Sequence, residues 1–241
     1  MKKLSLKFCF LLPLIFLTAN LVYAQEHPLP GAKISFSETM WSFGYVPKTG
    51  TVSHTYMIKN VGSDTLIIVK VRPDCGCTTT PLTQKRLSPN ESAEMKIVFD
   101  PRKVVTTETV KKLQITSNDP NNPISEVQFT AKIGINNSLV RLTPAEIDFD
   151  TTAVGVENSR TLTIENISKE RLSLNAIEEP REYVDISLGN KILKPGESIQ
   201  LVAKLKKGVA SGSFHTSLTL DFEGSKIARI SIPIFGEIIT P

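Results

Sequence analysis

Thr51-Val52-Ser53-His54-Thr55-Tyr56-Met57-Ile58-Lys59-Asn60 reads as a β-strand with one buried face. Val52, His54, Tyr56 and Ile58 fall on one side of a period-2 pattern, and Thr51, Ser53, Thr55 and Lys59 on the other. The pattern returns 106 residues later, with Leu162 and Ile164 inward and Thr161, Thr163 and Glu165 outward. At that single offset Phe43 meets Phe149, Tyr56 meets Leu162, Ile58 meets Ile164 and Asn60 meets Asn166. Leu66 then meets Leu172, Val71 meets Ile177, Leu87 meets Leu193, Pro89 meets Pro195, and Glu91-Ser92 meets Glu197-Ser198. Matches spread over several strands and turns without a gap indicate an internal duplication. The expected units are residues 25–135 and 138–241, joined at Gly134-Ile135-Asn136-Asn137.

Each copy is made of short runs rich in β-branched residues. In the first they are Leu66 to Val71, Ala93 to Phe99, Lys112 to Thr116 and Glu126 to Ile133; in the second, His215 to Phe222 and Ile227 to Ile234 belong to the late strands. Asn60-Val61-Gly62-Ser63-Asp64, Ser88-Pro89-Asn90, Asn118-Asp119-Pro120-Asn121-Asn122-Pro123 and Lys194-Pro195-Gly196 carry turn chemistry. No window sustains a 3.6-residue apolar period. Units of about 100 residues with many short strands predict an all-β fold of two tandem immunoglobulin-like β-sandwich domains.

Residues 1–24 read as a secretory signal peptide. Lys2, Lys3 and Lys7 precede an apolar run from Phe8 to Leu17, and Val22-Tyr23-Ala24 gives small residues where a signal peptidase cuts. The run is too short for a convincing membrane span. Removing the leader takes the net charge from +4 to +1, so the basic balance gives no reason to expect nucleic acid or an anionic membrane as a partner. Cys9 lies inside the apolar run and not at the cleavage junction, so no lipid anchor is expected. The reading is a secreted or periplasmic chain with no membrane span in its mature form, whose partner would be a protein or another envelope component.

Phe43-Gly44, Val46, Gly50, Val52 to Tyr56, Asn60-Val61-Gly62, Leu66, Cys75-Gly76-Cys77-Thr78 and Leu87-Ser88-Pro89 together resemble an uncharacterised family of bacterial secreted proteins. That family carries a Cys-Gly-Cys-Thr signature in an immunoglobulin-like domain related to Hydin-type and major-sperm-protein-type sandwiches. The second copy resembles the wider Hydin-type superfamily and has Arg181-Glu182-Tyr183 where the cysteines would fall. The resemblance implies a fold and an export route, and no activity.

Cys75 and Cys77 are the constellation with chemical character. Two cysteines two apart in an extended strand stand near or beyond the usual disulfide span, so a bond needs a turn, which Gly76 eases. Chain-entropy arithmetic for a ring of about three residues gives only about 1.6 kcal/mol, against roughly 3 for a fifteen-residue loop. The pair is a poor staple and a better redox couple. As thiolates, Cys75 and Cys77 would also suit Cu(I), with His54 as a third ligand candidate among His27, His54 and His215. The strand order puts His54 at the same end of the domain as the Cys loop. Its counterpart Arg160 implies a partly wet rim position, and the plain alternative is a surface-edge histidine beside a structural cysteine pair.

Enzyme signatures are otherwise missing: there is no Gly-x-Ser-x-Gly, no His-Glu-x-x-His and no phosphate-cradling glycine loop. Glu178-Glu179 reads as solvated loop charge, and Trp41 and Phe43 as packing residues. The expectation is a non-enzymatic binding or structural module, with a thiol-redox or Cu(I)-binding module as the alternative.

Overall fold

The computed structural model describes residues 30–135 and 138–240. The leader, the cleavage junction and His27 lie outside them. The first domain contains β1 (Ile34–Phe36), β2 (Met40–Val46), β3 (Val52–Asn60), β4 (Leu66–Pro73), β5 (Thr78–Thr79), β6 (Arg86–Leu87), β7 (Ser92–Phe99), β8 (Glu108–Ser117) and β9 (Ile124–Ile133). The second contains β10 (Val140–Thr143), β11 (Ile147–Ala153), β12 (Ser159–Asn166), β13 (Leu172–Glu178), β14 (Val184–Leu188), β15 (Ile192–Leu193), β16 (Ser198–Leu205), β17 (Gly212–Glu223) and β18 (Ile227–Ile239). The one helical element among the described residues is a 3-10 turn at Pro101–Lys103.

The all-β, tandem-sandwich expectation holds, and the duplication extends to hydrogen bonds. One sheet runs β1-β3-β7-β5 and its counterpart β10-β12-β16-β14. Ile58 pairs with Ala93 in β7, and Ile164 pairs with Ile199 in β16. Leu66 pairs with Leu87, and Leu172 with Leu193. All of these apolar residues but Ile199 are buried. The two inward stripes close two separate cores, one running from Ala32 to Ala131 and the other from Val140 to Ile238.

The buried asparagines that end β3 and β12 tie each domain together. Asn60 Nδ2 donates to the carbonyls of Asp64 and Leu87 while its Oδ1 accepts from the Gly62 N–H. Asn166 Nδ2 donates to Glu170 and Leu193, and its Oδ1 accepts from the Ser168 N–H. Positions, partners and roles agree at the 106-residue offset.

The second layers do not remain separate. The order β15-β13-β17-β18-β2-β9-β8-β4-β6, with β11 also paired to β18, makes one ten-stranded sheet across both domains. β18 is long enough for two neighbours. Ile234 to Ile239 run parallel to β11 of their own domain, and Ile230 pairs with Tyr45 of β2 in the first. The repeat alone gives no sign of this junction, because β2 and β11 are equivalent strands placed in different surroundings.

Candidate functional site

The chain between β4 and β5 turns at Gly76 and Cys77, and there Cys75 and Cys77 form a disulfide with their Cα atoms 5.2 Å apart. That distance lies in the ordinary range for the bond. Cys77 is 7% exposed and belongs to the first core, while Cys75 is half-buried and packs against that core. The Asp100 N–H donates to the Cys77 carbonyl, fixing the loop to the end of β7. Thr78 Oγ1 lies 3.6 Å from Cys75 Sγ and 3.8 Å from Cys77 Sγ. Gly76 is exposed, and a Cβ built on it would meet nothing within 4 Å. A shallow cleft beside the bond is lined by Lys103, Val104, Val105, Thr106 and Lys111.

The structure corrects the reading of His54 as a partly wet rim residue and as a third ligand beside the cysteines. His54 is 5% exposed. Its Nε2 lies 3.0 Å from Glu38 Oε1 and its Nδ1 2.9 Å from Glu178 Oε2. The ring stacks on Trp41 at 3.8 Å between centroids and meets Tyr56 edge-on. Each ring nitrogen thus faces a carboxyl oxygen, one from each domain, and both are engaged. Neither nitrogen is left for a metal. Among the described residues no group of three or more His, Cys, Asp or Glu is placed to hold an ion. The disulfide form also offers Cu(I) no thiolate. In the first domain alone this position would stand at the rim, and the second domain brings Glu178 onto it.

Glu178 is corrected with it: it ends β13 and reaches across the junction instead of lying in a solvated loop. The same junction holds Arg229, whose Nε and Nη2 donate to Asp221 and whose Nη1 donates to the Ser42 carbonyl. Its guanidinium stands 4.8 Å from the Trp41 ring. The Asp221 carboxylate, opposed by burial and aided by Glu38 and Glu178, holds the guanidinium above its ordinary pKa. Burial, with Glu38 second, pushes the Tyr56 phenol up, and its hydroxyl donates to the Gln128 carbonyl. The Ser53 N–H donates to Ser217 Oγ, which donates back to the Ser53 carbonyl. Ser231 Oγ donates to the Phe43 carbonyl.

Sequence reasoning missed Glu38, Glu178, Ser217, Asp221, Arg229 and Ser231 as one group. The available signal was His54 itself: an imidazole on the inward face of an apolar strand needs polar partners, and its own domain's alternation supplies none. His54 and the cysteine loop do lie at the same end of the sheet, on opposite sides of β7: His54 pairs with Ile97 and Thr78 with Phe99. The side chains that engage His54 are those of the junction and not the cysteines.

Residues 34–133 match the family described as protein of unknown function DUF1573, and residues 138–236 match the HYDIN/CFA65/VesB-like, Ig-like domain. Each domain thus matches a model of its own, the first that of DUF1573 and the second that of the Hydin-type Ig-like domains. No curated protein matches the chain. Similar solved structures include a protein of unknown function from Porphyromonas gingivalis W83, 14% identical over 85% of this chain and 99% of that one, with a TM-score of 0.33. The ASH/PapD-like domain 7 of human CEP192 is 15% identical over 43% and 87%, at 0.35. The Pseudomonas aeruginosa CupB2 chaperone is 13% identical over 83% and 99%, at 0.33. The cysteine loop lies inside the DUF1573 match. The Hydin-type domain has a turn at Arg181 to Tyr183 in its place. The sandwich therefore folds without cysteines at that position.

Proposed function

We propose that the chain is an exported, non-enzymatic pair of Ig-like sandwiches that works as one binding or structural body in the periplasm or cell envelope. The observation that carries this reading is the junction. The side chains with catalytic potential, His54, Glu38, Glu178, Asp221 and Arg229, are engaged with one another and with main chain in holding the DUF1573 domain to its neighbour. No helix among the described residues is long and apolar enough to cross a membrane. The test is expression of the full chain in a Gram-negative host, followed by osmotic shock and N-terminal sequencing. Mature protein beginning at Gln25 in the shock fluid supports the reading, and intact leader on cytoplasmic protein overturns it.

The disulfide favours a second reading, a thiol-redox module using Cys75 and Cys77. The ring is too small to add much stability, the loop apex is open, and the second sandwich folds without it. Reduction would yield two thiols, the soft donors that Cu(I) prefers. If the pair is redox-active, alkylation after mild dithiothreitol treatment labels both cysteines while the circular dichroism spectrum stays folded. A disulfide that persists until the protein unfolds overturns this second reading.

A further inference from the structure

Cys75 and Cys77 are chemically alike and differently placed. Cys75 is half-buried at the lip of the open cleft, whereas Cys77 is 7% exposed and set into the core. A thiolate attacks a disulfide along the S–S axis from behind the sulfur it strikes, so access decides which sulfur is taken. Both residues line the cleft beside Gly76, but Cys77 is the more deeply packed of the two and Cys75 the more accessible.

The walls of the cleft also select a partner. Val105 is 96% exposed, a bare apolar side chain next to the disulfide. Lys103 and Lys111 line the same cleft, and Lys48 Nζ donates to the carbonyl of Val104, another of its lining residues. Two acids lie nearby: Asp100 pairs with Arg102 and with Lys103, and Asp74, next to Cys75, accepts from the Lys112 N–H. Lys48, Arg102, Lys103 and Lys111 outnumber them, so the surface beside the bond is net cationic, with Val105 exposed within it.

Resting on the redox reading above, we infer that the Cys75–Cys77 disulfide exchanges with a dithiol protein whose reactive cysteines are flanked by acidic residues, and that attack falls on Cys75. In the first step the partner thiolate bonds to Cys75 Sγ, the Cys75–Cys77 bond breaks, and its electron pair leaves on Cys77 Sγ. The Thr78 hydroxyl, within reach of both sulfurs, is placed to donate to that thiolate. In the second step the partner's other thiol attacks its own sulfur in the mixed disulfide and releases Cys75. Two electrons and two protons pass to this chain: its disulfide becomes two thiols, and the partner's two thiols become a disulfide.

The experiment uses the full mature chain with glutathione and with two synthetic Cys-x-x-Cys peptides, one flanked by aspartates and one by lysines. Wild type is briefly exposed to each, quenched with acid and mapped by mass spectrometry, which avoids any variant that fails to fold. The expected adduct sits on Cys75. The aspartate-flanked peptide should react about tenfold faster than the lysine-flanked one at low salt, with the gap closing at high salt. Lys103→Glu with Lys111→Glu should reverse that order. Adducts mainly on Cys77, or no preference between the peptides, overturn the inference while leaving the pair redox-active. A disulfide that no thiol opens in the folded protein instead overturns the redox reading beneath it.

Discussion

Asn60 and Asn166 are fully buried, and each spends its amide on equivalent main-chain groups of its own domain. Alanine at either site would leave two carbonyls and at least one N–H without that partner, at about 1–3 kcal/mol per buried group before relaxation. Asn60→Ala and Asn166→Ala should each lower the urea midpoint strongly, and by similar amounts if the two clamps are energetic as well as geometric equivalents. A large loss at one and none at the other would break that equivalence. The sequence shows the asparagines in register but not their role, because Leu87 and Leu193 lie 27 positions away and come into place only through folding. Asp119 gives the pH counterpart. Burial pushes its carboxyl up, but the main-chain N–H groups of Ile34, Asn121 and Asn122 donate to it and hold it below the ordinary carboxylate range. A lowered native value means stability that is full above about pH 4 and lost as the pH falls through the native value. Asp119→Asn should flatten that acid limb in melts between neutral pH and pH 2. An unchanged limb would assign the acid sensitivity to other carboxylates.

At the scale of the strand, β2 and β11 carry the same irregularity and pay for it differently. Both shift register against their parallel neighbours, between Ser42 and Tyr45 in one and between Asp148 and Thr151 in the other. The residue inside each shift has a positive φ, 64° at Gly44 and 51° at Asp150. Asp150 tolerates a side chain, and its carboxylate meets Arg160. Gly44 does not, because an added Cβ would stand 2.1 Å from the Arg229 carbonyl oxygen of the other domain. Gly44→Ala should therefore push β2 from β18 more than it harms the first sandwich, exposing the junction to limited proteolysis while the first core stays protected from hydrogen exchange. Loss of protection throughout β3 and β7 would show instead that the bulge serves its own domain. Strand existence was legible because alternation is local: Val52 to Lys59 and Thr161 to Glu165 show it plainly. The bulge glycine was legible only as a motif position, since the carbonyl that forbids a side chain comes from 185 residues along the chain.

For the whole molecule, the junction decides whether the two domains unfold together. His54→Ala removes the stack on Trp41 and leaves Glu38 and Glu178 without their shared partner, a loss on the order of 2 kcal/mol in the contact between domains. Calorimetry should show one cooperative transition for wild type and two resolved ones for His54→Ala, with Glu178→Gln intermediate. A single unshifted transition in both variants would mean that the main-chain pairing of Tyr45 with Ile230 and the serine bonds suffice. The duplication was readable because it repeats the same residues. The association was not, because a junction between unlike faces of like domains leaves no repeat to find. The joined sheet has one more consequence. Its outer borders are β6 and β15, strands of two residues each, beside β4 and β13. Those borders cover only two residues of β4 and two of β13. On the uncovered part of β4 stand Lys70, Arg72 and Pro73, charges and a residue without an N–H, which discourage another chain from pairing there.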